Sequence, residues 1–550
     1  MIPQTIRTFS FSPFRLLTAL LLFSICFPHD AAAKEKSPPS TDVLYTEIPA
    51  NIDYRDVTGL SRFSRMAYRN RWTEIDARDV LAELANFKNV SSSPAIRDAW
   101  RDMMLSDFNG LEFREPKHQT DLMVTRLRIL NQLGYFDEAV RLYQVAATRK
   151  PVASDLALQG VESLALSGSA DGACLEVTMA SKTLSSAEWK QNEALCSVYF
   201  GDEARGDELY KEVSEQAGSG FRTVYKLLKK KGGKAIQVDI PALWRTLLLA
   251  QGASIPSAAL KSADAETLAS IAANERVPVS IRVAAMERGA NKGVIGADRV
   301  RGLYETLYKE DNGLAGITET AKASGNQANA ANYAAARFMF EPMARSTIVK
   351  NAMYKVSPIT GIRNHAYAWI VDKLTLHIDK MGAFAPQGFS LMTLTNRTAS
   401  ANMYYNVGKL SNTRFALVHA LGAGEPWPQE ARDSWQSGMK KYYNAKADAK
   451  INDFMALANA YDLEEKLQLN GPPKKEQNLR IDRNSVLYKS TRAGGKGLTL
   501  AAALNILGRN QKLNAVQAPE FIDIIDVMTK QGLFTERKKI TLEFLIQNML

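Results

Sequence analysis

Apolar positions between residues 122 and 216 recur at helical spacing, and three glycines punctuate them. Met123, Leu127 and Leu130 share one face of a helix that Thr120 is placed to cap and Gly134 to end. Ala139, Leu142, Tyr143 and Ala146 then occupy i, i+3, i+4 and i+7 of a second helix, which Pro151 stops. Asp137 and Glu138 fall in its first turn, where negative charge suits the helix dipole. Gly134, Gly168 and Gly201 lie 34 and 33 residues apart. Each leads into a small–large–small order: Ala139–Tyr143–Ala146, Ala173–Val177–Ala180, and Gly206–Tyr210–Val213, where the last small position is filled. A period of this length is that of a helix–turn–helix unit, with the small residues allowing close helix approach.

The pattern loosens on either side. Residues 58–72 read as a basic helix, and 76–106 as one or two helices with Val80, Leu81, Leu84 and Phe87 as a core stripe. Asn109–His118 reads as a loop. Residues 217–236 break the repeat with Gly218, Gly220 and a lysine cluster, and 240–310 return to hairpins punctuated by Pro241, Pro256 and Pro278. An Ala/Asn-rich stretch from 318 leads into a Met- and aromatic-rich region. Pro426-Trp427-Pro428 opens the final part, which closes on helices over about 498–508, 518–531 and 535–549. The divisions are therefore 1–33, 34–57 as a linker and extended N-terminal arm, 58–216, 217–317, 318–425 and 426–550. The fold class expected is all-α, an elongated α-solenoid of antiparallel helix hairpins.

The stretch Leu133-Gly134-Tyr135-Phe136-Asp137-Glu138-Ala139, followed by Tyr143, Ala146 and Pro151, resembles the second half of a tetratricopeptide repeat. The resemblance is limited to about residues 122–216, and Ser185 and Gly218 replace the proline in the later units. It implies a superhelix that binds a peptide or protein.

The N-terminus sets the expected compartment. Arg7 and Arg15 precede an apolar run from Leu16 to Phe27, and Ala31-Ala32-Ala33 supplies small residues for cleavage, so 1–33 reads as a secretory signal peptide. That run is too short for a spanning helix, which needs roughly 20 residues. The composition looks bacterial, which makes the expected destination a Gram-negative periplasm. Beyond Cys26 the chain holds only Cys174 and Cys196, an even number for an oxidising compartment. They sit symmetrically about the turn at residue 185, in helices over about 171–181 and 187–199. An antiparallel pair places them opposite one another, and a disulfide is predicted.

The formal net charge is +11. Arg62, Arg65 and Arg69 share a helix face and are candidates for contact with an anionic surface. Nucleic acid is excluded on compartment grounds. No zinc-binding histidine motif, nucleophile elbow or phosphate loop occurs, so no metal, cofactor or catalytic residue is expected. The function expected is a non-catalytic scaffold or assembly factor that binds another envelope protein through apolar anchors and a basic rim. A peptidoglycan-acting enzyme or wall-binding accessory protein is the alternative.

Overall fold

The computed structural model describes residues 45–47, 52–59, 71–306 and 487–549, with short gaps inside the last two segments. The signal segment 1–33, the arginines Arg62, Arg65 and Arg69, and the Met/aromatic region lie outside the described residues. What is described is mostly helical, with four strands of two residues each.

Strand β1 (Tyr45–Thr46) pairs in parallel with β4 (Val152–Ala153), and β2 (Ile75–Asp76) with β3 (Leu111–Glu112). Helix α1 spans Ala77–Ala85, and α2 spans Pro94–Leu105. Both begin at side-chain caps: Asp76 accepts from Arg78 N, and Ser93 accepts from Ile96 N with Pro94 at the first helical position. Three pairs follow: α3 (Lys117–Gln132) with α4 (Phe136–Ala147), α5 (Ser154–Leu166) with α6 (Ala170–Ala180), and α7 (Ala187–Phe200) with α8 (Glu203–Val213). Then come α9 (Ser219–Lys229), α10 (Ala242–Ala250), α11 (Ala265–Ala273) and α12 (Val279–Asn291). The chain ends in α13 (Lys496–Gly508), α14 (Ala518–Lys530) and α15 (Phe534–Met549).

The three repeat glycines have one local geometry. Gly134, Gly168 and Gly201 have φ of 79°, 88° and 91°, the left-handed region that an L side chain rarely adopts. Around Gly134 the amide of Tyr135 bonds back to Leu130 O at 2.9 Å, and Gly134 N to Asn131 O at 2.8 Å. Ser169→Leu164 and Gly168→Ala165 repeat this pair of bonds, as do Asp202→Ser197 and Gly201→Val198. This is the Schellman closure, which satisfies carbonyls that a helix end leaves free. Gly252 and Gly532 close α10 and α14 in the same way. The helices of each pair pack on each other, and successive pairs pack through α4–α5, α3–α5 and α6–α7.

Two local expectations are corrected. Thr120 does not cap α3: the helix already starts at Lys117, and Thr120 is buried within it. Its start and β3 lie inside what reads as a loop in the sequence. The glycine- and lysine-rich stretch after 217 contains a regular helix, α9, that buries Phe221, Val224, Tyr225 and Leu228 and keeps Lys226 and Lys229 in its last turn. A lysine there suits the negative end of the helix dipole.

Helices after the repeats double back over them. Helix α10 packs on α5, α6 and α7, and α11 packs on α3 and α5. Thr246 Oγ1 donates to Ala165 O at 2.9 Å across this junction. Two of the three turn glycines lie directly under the returning chain. A Cβ on Gly134 would stand 2.5 Å from Val294 O, and one on Gly168 would stand 3.0 Å from Asn274 Cα; nothing lies within 4 Å of one on Gly201. Gly201→Ala should therefore cost about 1 kcal/mol, the left-handed penalty alone. Gly134→Ala should cost about 2–3 kcal/mol, because overpacking against a backbone carbonyl adds to that penalty. Urea midpoints of the two variants check this; equal losses would mean that the returning chain does not press on the turn.

The last helices close on the first. Helix α13 packs on α1 and α2, and α15 on α2. Gly497 N donates to Arg71 O at 2.9 Å, and Gly497 has no Cβ to meet the Trp72 ring beside it. Arg71 and Glu536 form a largely buried ion pair at 2.9 Å. Phe544 is buried and stacks on Phe521 with centroids 3.7 Å apart. No helix among the described residues is long and apolar enough to cross a membrane.

The described part of the N-terminal arm lies along this body. Tyr45 and Glu47 reach Glu176 Oε1 and the amide of Ser185 at 2.9 and 3.2 Å. Arg149 pairs with Asp56 at 2.7 Å. Arg126, fully buried on α3, donates to Val57 O in the arm at 2.9 Å.

Candidate functional site

The repeat positions are packing positions. Ala139, Tyr143, Ala146, Ala173, Val177 and Ala180 are buried, and Gly206 leaves room for Val198 where α7 meets α8. Tyr143 lies over Gly160 of α5, so it fills the gap to the next unit, and its hydroxyl bonds Glu176. Burial and the Glu176 carboxylate push its phenol up. Tyr210 stacks on Tyr225 of α9 with centroids 4.2 Å apart. Cys174 on α6 and Cys196 on α7 stand at disulfide distance, with Cα atoms 5.3 Å apart, and both are buried.

The first helices of the second and third pairs carry something else. On α5, Asp155, Gln159 and Glu162 fall at i, i+4 and i+7, a polar stripe on a mostly apolar helix. On α7, Glu188, Gln191 and Asn192 fall at i, i+3 and i+4. Trp189 Nε1 donates to Ser154 Oγ at 2.9 Å and holds the starts of the two helices together. Helix α10 lies across both. Pro241, just before it, and its Leu243 and Trp244 complete the wall of a cleft of about 530 Å³ lined by these side chains with Leu158 and Val161. Trp244 Nε1 points at Asn192 Oδ1, 3.4 Å away.

The carboxylates of the cleft, Asp155, Glu162 and Glu188, are held by no hydrogen bond or ion pair among the described residues. Other carboxylates on α7 and on neighbouring helices are engaged: Glu193 with Arg205, Asp207 with Lys229, Glu212 with Lys190 and Glu138 with Arg101. Asp155 and Glu188 are exposed in first turns, where the helix dipole favours them. Glu162 stands mid-helix and only partly open. Burial raises its pKa, the Arg245 charge opposes the shift and Glu188 adds to it.

Behind Glu162 lies Arg245, buried on α10. Its Nη1 donates to Val238 O at 3.1 Å and Ile240 O at 3.2 Å, while Nε and Nη2 have no partner. Burial lowers its pKa, against the fields of Glu162, Asp264 and Glu266. Glu266 is pushed up to about 7, first by burial and then by Glu162 and Asp264. One buried guanidinium thus answers several carboxylates at once.

A second cavity, of about 410 Å³, lies where α13 meets α1 and α2, and Glu83, Trp100 and Asn505 line it. Its carboxylate is engaged: Asn505 Nδ2 donates to Glu83 at 2.5 Å. No group of three His, Cys, Asp or Glu side chains among the described residues is placed to hold a metal ion.

No family model matches this chain, and no curated protein or solved structure is found to resemble it. The site is therefore assigned on its own geometry.

Asp155, Glu162, Glu188 and Trp244 are not among the residues the repeat period singles out. A signal for them exists in the two polar stripes, which fall on consecutive first helices of the array. Trp244 leaves no such trace, because only the return of α10 brings it to α5 and α7.

Proposed function

We propose that this protein is a non-catalytic binding module of the bacterial envelope, a scaffold or assembly factor for another protein. In this reading residues 1–33 direct export to the periplasm, and the α3–α8 pairs form a tetratricopeptide-like α-solenoid. The partner seats on the face made by the first helices of the pairs. The observation that carries the reading is the α5–α7–α10 cleft. It offers an aromatic ring, three amides and three carboxylates, and none of those carboxylates makes a hydrogen bond or ion pair among the described residues. Groups left free in a concave site are available to a ligand. The cleft is acidic although the chain as a whole is basic.

A photo-crosslinking residue at position 191, in the cleft, should trap a defined protein in intact envelopes. The same residue at position 145, exposed on α4 away from the cleft, should not. Identical patterns from both positions, or none, would count against the binding module. Clearing of a cell-wall zymogram by the purified protein would replace it with the wall-acting enzyme.

A further inference from the structure

We propose that the α5–α7–α10 cleft is a receptor for a cationic side chain, the lysine or arginine of an extended partner segment. This rests on the binding-module reading and names the chemistry that the partner must bring. Three observations converge on it.

The first is charge. Asp155, Glu162 and Glu188 line the cleft without a hydrogen bond or ion pair. The only cation among the groups acting on Glu162 is Arg245, whose field is shared with Asp264 and Glu266 and whose Nη1 is committed to two backbone carbonyls. A carboxylate walled in by protein is destabilised until an opposite charge reaches it. Glu162 is the most enclosed of the three, with only the shared field of Arg245 on it, while Asp155 and Glu188 stand exposed at the mouth.

The second is the form of the wall. Trp244, Leu243 and Leu158 face the same space as the acids. Lysine and arginine carry an apolar stem behind a charged head, and the head also favours the face of an indole ring. A cleft with acids and a tryptophan matches both parts of such a side chain. The third is what the acids do not do. They are not grouped as ligands for a metal ion, and a cleft of about 530 Å³ has room for a long side chain. The amides Gln159, Gln191 and Asn192 supply donors and acceptors for the main chain on either side.

The test uses the mature protein and a fluorescein-labelled peptide of alternating lysine and glycine, with the same peptide lysine-acetylated, read by fluorescence anisotropy. The lysine peptide should bind, more weakly as salt rises, and acetylation should weaken it at least about tenfold. Glu162→Gln combined with Glu188→Gln should lower affinity at least about tenfold. Trp244→Ala should lower it several-fold, and Glu215→Gln, an exposed acid outside the cleft, should leave it unchanged. Circular dichroism confirms that each variant is folded. Unchanged affinity in the folded double variant overturns the proposal, as does equal binding of the acetylated peptide or binding of a chitooligosaccharide in place of the lysine peptide. If the lysine peptide fails while position 191 still traps a protein, the cation assignment falls and the binding module stands. If position 191 traps nothing, the reading beneath it falls instead.

Discussion

Replacing Arg126 with methionine should destabilise the protein by about 3–5 kcal/mol, the loss expected when one side of a buried charged network is removed. Arg126 has no exposed surface. Its Nε donates to Met104 O at 2.8 Å, and its Nη2 to Val57 O at 2.9 Å and Ser106 O at 2.8 Å. Its guanidinium lies 4.8 Å from the centre of the Phe108 ring. Burial pushes its pKa down to about 9, with Asp107 opposing, so the group stays charged at neutral pH. One planar fork thus ties α3, the end of α2 and the arm at Val57 together. Methionine fills much of the volume and satisfies none of the three carbonyls. The urea midpoint should fall accordingly, and trypsin should cut after Arg55 faster than in the parent. Arg126→Lys should recover only part of the loss, because an ammonium cannot reproduce the fork. A near-neutral Arg126→Met would show that water satisfies those carbonyls, and that the arm is held elsewhere.

Removing the Cys174–Cys196 link should cost roughly 3 kcal/mol in the chain-entropy model. The cysteines are 22 residues apart in sequence and join α6 to α7, so the link spans two consecutive pairs. Both sulfurs are buried. Native protein should therefore resist alkylation until it is unfolded in reductant. The Cys174→Ala, Cys196→Ala variant should unfold at lower urea by an amount close to that of the reduced parent. Agreement between the two separates the lost link from the smaller alanine side chains. Rapid labelling of both cysteines in native, unreduced protein would rule the link out.

These two features differ in how far the sequence reveals them. The cysteine pair is legible because it follows from local rules: two helices, one short turn and positions symmetric about it. The glycine turns are legible for the same reason, since a Schellman closure spans only six residues. Arg126 is not. Its partners come from two segments distant in sequence, at Val57 and at Met104–Phe108, and an arginine within an amphipathic helix reads as part of a solvated face. The cleft is half legible. Its acids form stripes on α5 and α7, but two of them also serve as ordinary first-turn residues. The return of α10 and α11 over the pairs leaves no periodic trace, because it depends on contacts distant in sequence. Helix α7 shows the effect: it packs on α6, α8, α9 and α10, so it is apolar on several sides and its own pattern points to no single partner.

The closure of the last helices on the first also orders events in time. Arg71 waits for Glu536, 465 residues later, and Asn505 reaches Glu83 across 422. A chain that emerges N-terminus first leaves the Trp72 ring without Gly497 against it until α13 is made. The paired helices of residues 117–213 need no such delay, since their contacts are local and form quickly. Folding is therefore expected to begin in the paired helices and to finish where α13 and α15 meet α1 and α2. During that interval the apolar surface that α13 covers is open to aggregation, or to a chaperone that shields it.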